Sequence, residues 1–131
     1  MYMNEKMDEG DIILQEETEI GENETTGELW DRLKEQGAEL LLKTIKEIEK
    51  GTAPRTPQGD NFTIAPMLKK EMAKIDFMQT AEEIKNKVRG LNPIMGAYSM
   101  YNSKKVKFWK VEILDDKIDE NIEPRNSHFS R

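Results

Sequence analysis

The stretch TTGELWDRLKEQGAELLLKTIKEIEKG, residues 25–51, decides how the rest of this chain is read. Thr25 stands ahead of an apolar series and Glu28 follows three residues later. A hydroxyl and a carboxylate so spaced satisfy each other's main-chain N–H groups in a capping box. Leu29, Leu33, Leu40, Leu41, Ile45 and Ile48 then recur at helical spacing. Gly37 interrupts them at a cost of up to about 1 kcal/mol against alanine. Gly51 suits the position just past a helix end. The expectation is a helix over residues 26–50 with one buried face, serving as core rather than as a ligand site.

Upstream, residues 11–20 begin with Ile12-Ile13-Leu14 and turn acidic, between Gly10 and Gly21. They read as a strand leaving the core. Downstream, Pro54, Pro57, Gly59 and Pro66 disfavour both a helix and a central strand. So long a connection is unusual inside one compact domain. A boundary is therefore expected across residues 52–76, although the length of 131 residues by itself suggests one domain. Thr80 and Glu83 form a second capping-box signal, Ile84, Val88 and Leu91 line one face, and Pro93 stops that helix. Residues 97–101 and 106–114 read as a hairpin across residues 102–105, with Trp109, Val111 and Ile113 on one face. Residues 115–131 read as a frayed polar tail. The fold class is mixed α+β: a strand and a long helix, a linker, then a helix and a hairpin. One hairpin and one helix make a marginal domain, as if a β-structure begins and is not finished. Apolar faces left open in this way invite a homodimer.

The net charge of −6 is unevenly spread. Residues 1–24 hold nine acids against Lys6 alone, whereas residues 69–110 hold ten Lys/Arg against four acids. A basic block in an acidic chain is a candidate surface for a polyanion, although lysines also coat ordinary solvated faces. The chain has no cysteine, which excludes disulfides and thiolate metal sites and fits a reducing, cytoplasmic setting. No apolar run reaches membrane-spanning length and the N-terminus is not a signal peptide, so no membrane partner is expected. No phosphate-binding glycine loop and no metal-ligand spacing occur, so no metal is expected. The eight methionines read as packing residues.

Four segments, in order, carry a resemblance. Met7-Asp8-Glu9-Gly10-Asp11 is similar to an L-D-T-G-D loop followed by an apolar strand. Thr26-Gly27-Glu28-Leu29-Trp30-Asp31-Arg32-Leu33 with Gly37-Ala38-Glu39-Leu40-Leu41 resembles a long helix. Pro57-Gln58, Ala65-Pro66-Met67-Leu68-Lys69-Lys70-Glu71 and Ile75-Asp76-Phe77 resemble an interdomain segment. Arg89-Gly90-Leu91-Asn92-Pro93, Gly96-Ala97-Tyr98 and Val106-Lys107-Phe108-Trp109-Lys110 resemble the entry to an OB-fold domain. Together they resemble the methionyl-tRNA formyltransferase family. Glu9 departs from its Thr, Phe77 from its Trp, and Ile94-Met95 from its Trp-Pro, and beyond Leu114 the likeness lapses.

The resemblance implies that residues 1–51 are the end of a formyltransferase α/β domain, residues 52–76 an interdomain linker, and residues 77–114 the start of an incomplete OB-like barrel. Residues 1–6 resemble the interior of family members, so Met1 reads as an internal methionine. The implied reaction moves a formyl group from the co-substrate 10-formyltetrahydrofolate to the amino group of initiator methionyl-tRNA. The amine attacks the formyl carbon, and an Asn, a His and an Asp stabilise the oxyanion and move protons. Only Asp8 maps onto that triad, so residues 1–131 alone are expected not to catalyse. Asn4, Glu5, Lys6 and Met7 map onto the loop bordering the pterin pocket. Lys69, Lys70, Lys85, Arg89, Lys104, Lys105 and Lys107 are the expected tRNA-binding residues. Asn126-Ser127-His128-Phe129-Ser130 fits the family's N-x-H-x-S pattern, but in a polar tail it reads as coincidence. Two other readings stay open: a non-catalytic tRNA-binding or protein-interaction module, and part of a related formyltransferase acting on a sugar nucleotide.

Overall fold

A computed structural model describes residues 1–5, 8–59 and 65–114. It is a mixed α and β structure with helices α1 (Thr26–Glu49) and α2 (Ala81–Gly90), strands β1 (Ala97–Tyr101) and β2 (Lys104–Phe108), and a short 3-10 helix at Lys70–Ala73. The chain divides into two compact units. The first comprises Met1–Gly21 and Leu29–Met67, and the second Glu22–Glu28 and Leu68–Arg131. The first turn of α1 thus groups with the second unit.

The first unit is held by few apolar contacts. α1 begins as read: the Thr25 main-chain N–H and hydroxyl donate to Glu28 Oε2 at 2.8 Å each, and the Glu28 N–H donates to Thr25 Oγ1 at 3.3 Å. Gly51 follows the helix in the left-handed conformation, φ 71°. The expected buried face is absent, however, because no residue of α1 is buried. Leu33, Leu41, Ile45 and Ile48 are all exposed. A periodic stripe becomes core only if other apolar surface covers it, and among the described residues of this unit Ile13 is the buried apolar side chain. The helix is instead tied through polar groups. Arg32 donates to Thr18 Oγ1 and to the Glu19 carbonyl, and Gln36 to the Glu17 carbonyl. Residues 11–20 do not form the expected strand. Among the described residues pairing there is a single antiparallel bridge, Ile12 with Thr56, since a strand extends only as far as its partner supplies hydrogen bonds.

The second unit has a conventional core of Ala73, Ile75, Val88, Leu91 and Ala97, with Phe77, Ile84, Met95, Tyr98, Phe108 and Val111 packed against it. α2 carries the predicted cap, Thr80 and Glu83 bonding reciprocally, and turns Val88 and Leu91 inward. Asn92–Pro93 is a cis peptide beyond its end. Thr26 Oγ1 donates to the Gly90 carbonyl at 2.7 Å and the Gly27 N–H to the Asn92 carbonyl at 3.1 Å. A Cβ on Gly27 would lie 2.7 Å from Pro93 Cδ, so only glycine admits this close approach.

The hairpin is tighter and shorter than read. Asn102 and Ser103, at φ 46° and 61°, form a two-residue turn. Positive φ at both central positions matches the twist of the flanking strands. Lys104 and Lys105 therefore belong to β2, in register with Tyr101 and Met100. β2 ends at Phe108 because its partner begins at Ala97, so Trp109, Val111 and Ile113 do not continue the strand. Nor are residues 52–76 a free linker. Thr56 pairs with Ile12, while Ala73 and Ile75 lie in the second unit's core.

Candidate functional site

In the first unit, Tyr2 and Asp11 close a loop on which Asp8 stands. The Tyr2 N–H donates to the Asp11 carbonyl at 2.8 Å. Gly10 is buried at the closure, and a Cβ there would fall 1.7 Å from the Tyr2 carbonyl oxygen. Asp8 is exposed and left-handed, φ 59°, a conformation short polar side chains tolerate. Residues 55–58 bind this loop from the side. Arg55 Nε lies 3.1 Å from Asp11 Oδ2, with its guanidinium 4.2 Å from the centre of the Tyr2 ring. Ile12 and Thr56 exchange two main-chain hydrogen bonds of 2.8 and 3.0 Å. Gln58 Nε2 donates to the carbonyls of Asp8, at 2.9 Å, and of Gly10, at 2.7 Å. Asn4 and Glu5 are exposed beside this loop in sequence, and Lys6 and Met7 lie outside the described residues. So do Asn126 and His128.

In the second unit the basic residues divide. Lys70, Lys105 and Lys107 line one recess of about 330 Å³ with Tyr98, Met95 and Ile94. The Lys105 ammonium sits 4.0 Å from the Tyr98 ring centre, a cation–π contact that holds it in place. Lys107 Nζ donates to the Met95 carbonyl at 3.0 Å and lies 5.2 Å from the Trp109 ring centre. An ammonium has three N–H donors, so this bond leaves capacity for an anion. Lys104 is exposed on the opposite face of the hairpin from Lys105 and Lys107, by strand alternation. Lys69 is exposed next to Lys70.

Lys85 and Arg89 do share a face of α2, but it is not an open basic face. The Lys85 side chain is 13% exposed and pairs with Glu22 Oε1 at 3.2 Å. Arg89 Nη1 donates to the Glu24 carbonyl at 3.2 Å, and its Nε to Asn86 Oδ1 at 2.6 Å. Both cations are engaged by the segment leading into α1, which the sequence separates from them by more than sixty positions. The residues that sequence reading missed are Arg55, Gln58 and Gly27. A Pro-Gln pair was visible at residues 57–58, but no local signal shows that its amide reaches back to Asp8.

Comparison with known proteins defines the class first. The formyl transferase family pattern matches residues 1–45, and its C-terminal domain pattern matches residues 67–124. Within that class the relatives the chain matches are methionyl-tRNA formyltransferases. It is 45% identical over 123 residues to the methionyl-tRNA formyltransferase of Clostridioides difficile, covering 93% of this chain and 40% of that protein. With that of Clostridium beijerinckii it shares 46% over 124 residues, covering 95% and 40%. The chain thus spans about 40% of the length of these relatives. A crystal structure of a 4-N formyltransferase from Francisella tularensis aligns with a TM-score of 0.69 at 27% identity, covering 88% of this chain and 49% of that one.

Proposed function

We propose that the chain supplies two working parts of a methionyl-tRNA formyltransferase: the carboxylate-bearing loop around Asp8 and a tRNA-facing surface on the second unit. The observation that carries this reading is the chain's 45% identity to a methionyl-tRNA formyltransferase over 93% of its own length. The co-substrate 10-formyltetrahydrofolate supplies the formyl group. Asn4, Glu5, Lys6 and Met7 border its pocket, next in sequence to the exposed Asp8. The Asp8 carboxylate orients an imidazole and favours its protonated form, since an opposite charge within about 4–6 Å raises a histidine's pKa. That imidazole and its Asn partner come from outside residues 1–114, and residues 1–131 alone do not turn over. No metal takes part, and the reaction is cytoplasmic.

The initiator methionyl-tRNA lies across Lys70, Lys105 and Lys107 around Tyr98, with Lys69 and Lys104 at the margins. Such contacts position a phosphate backbone rather than read sequence. Lys85 and Arg89 serve this surface indirectly, by holding residues 22–25 against α2. The second unit is the start of an OB-type tRNA-binding domain and the first unit the end of a catalytic domain, divided near residues 67–68.

The test is reconstitution. Residues 1–131 are mixed with the part of the Clostridioides difficile relative that precedes the matched segment, and formyl transfer to methionyl-tRNA is followed. Transfer should require both pieces and disappear with Asp8→Ala. Two soluble, folded pieces that stay inactive together would refute the proposal. The likeness to a 4-N formyltransferase favours a second reading, in which the acceptor is an amine on a small molecule such as a sugar nucleotide. Offering the reconstituted pair both acceptors separates the two.

A further inference from the structure

We propose that Gln58 is a positioning residue for the Asp8 carboxylate, an inference that rests on the formyl-transfer reading of Asp8. The register set by Ile12 and Thr56 places Gln58 opposite Gly10, where the next main-chain pair of an antiparallel ladder would fall. A side chain takes that place. Its amide NH₂ donates one N–H to the Gly10 carbonyl and the other to the Asp8 carbonyl, at 2.7 and 2.9 Å. Both acceptors are carbonyl oxygens, so only the nitrogen of the amide fits between them.

The consequence is geometric. Holding the Asp8 carbonyl fixes the peptide plane between Asp8 and Glu9, and holding the Gly10 carbonyl fixes the plane between Gly10 and Asp11. Asp8 stands at a left-handed φ of 59°, and the direction of its Cα–Cβ bond is set relative to the plane that Gln58 holds between Asp8 and Glu9. Arg55 and Thr56 hold the base of the loop through Asp11 and Ile12, but neither reaches Asp8 in the contacts they make there. Gln58 is the group that carries the tie from residues 55–58 to the residue proposed to do chemistry. A reacting group displaced by about 1 Å can cost on the order of 100-fold in rate.

The experiment uses Gln58→Ala and Gln58→Glu in the 131-residue chain and in the reconstituted pair. Glutamate keeps the shape but, when ionised, offers no donor to either carbonyl. In the chain alone, NMR reports the three-bond coupling and shifts of Asp8, which mark its left-handed φ, while Ile12 and Thr56 amide protection reports the ladder. Both variants should lose the Asp8 signature and keep the ladder. In the reconstituted pair, kcat should fall by about 10-fold or more with the KM for methionyl-tRNA unchanged. Gln58→Glu should recover part of its rate as pH falls and its carboxyl regains a proton to donate. Variants with an unchanged Asp8 signature would overturn the proposal, as would an unchanged kcat or a loss confined to KM. If the unaltered pair is inactive, the formyl-transfer reading fails, and the NMR result still decides whether Gln58 sets Asp8.

Discussion

The two units solve the same problem by different means. The Asp8 loop sits in a unit with Ile13 as its buried apolar side chain among the described residues, and polar ties from residues 55–58 hold it. The basic recess stands on a hairpin whose Ala97 packs with Val88, Leu91 and Ile75. A hydrogen bond contributes about 0.5–1.5 kcal/mol net, whereas burying a valine or leucine contributes about 1.5–3. The loop is therefore set in direction by specific partners but only weakly in energy. The recess is firm underneath, and Lys105 and Lys107 are set over it by ring contacts and one carbonyl hydrogen bond. Under the proposed function the carboxylate must meet one imidazole at hydrogen-bond range, which needs the first arrangement, and the basic surface follows a phosphate backbone, which needs only the second.

The largest effect that would break this contrast is expected at Gly10. In Gly10→Ala the new methyl would meet the Tyr2 carbonyl oxygen at 1.7 Å, a backbone atom that cannot turn aside. The loop should open at its base, costing on the order of 3 kcal/mol or more locally. Tyr2 amide exchange measures this directly, and retained protection would show that the closure is softer than the geometry says. Next comes Val88→Ala. Removing two buried methyl-sized groups from the second unit should cost about 2 kcal/mol by urea unfolding. A much smaller loss would mean that the recess does not depend on that core.

The recess itself is probed by Lys105→Glu combined with Lys107→Glu. Affinity for methionyl-tRNA should fall by about 10-fold or more, with a shallower dependence on salt, because two cations of the proposed tRNA surface are gone. Lys104→Glu, on the opposite face of the hairpin, should do less. Equal losses from the two faces would place the polyanion elsewhere.

What the sequence showed depended on range. Both capping boxes and Gly51 were legible because their signals lie within a few residues of the helix ends. The hairpin was legible in kind but not in register, since Asn-Ser is a weak mark for a turn with two positive φ angles. Residues 11–20 kept the composition of a strand and failed to become one, because pairing is a property of the partner as much as of the segment. At the candidate site, Asp8 was nominated through resemblance, and the lysines through charge and resemblance together. Which lysines face outward was not legible. Glu22 and Glu24, which engage Lys85 and Arg89, stand 63 and 65 positions away. Gln58 was hidden for the same reason, its two acceptors being 50 and 48 positions distant.

The smallest effect tests whether the local devices act alone. Thr80→Ala removes the hydroxyl that receives the Glu83 N–H, and should cost about 1 kcal/mol, as for other caps. Glu83 adds a dependence on pH. Its carboxyl is held below the ordinary glutamate range, first by the main-chain N–H of Thr80 and then by the Thr80 hydroxyl. A lowered folded pKa contributes stability that is present above the unfolded value and is lost as pH falls through the folded one. The stabilisation should therefore fade in acid and persist through neutral pH. Thr80→Ala keeps the main-chain donor, so it should retain most of that acid dependence at a lower overall stability. Glu83→Gln should remove this site's acid dependence while keeping an oxygen for the same N–H. Urea midpoints of the three chains across the acid range separate these cases. If Glu83→Gln lost stability in acid as steeply as the unaltered chain, the dependence would belong to another carboxylate. Glu28, held low by Thr25 in the same way at the start of α1, is the one to examine next.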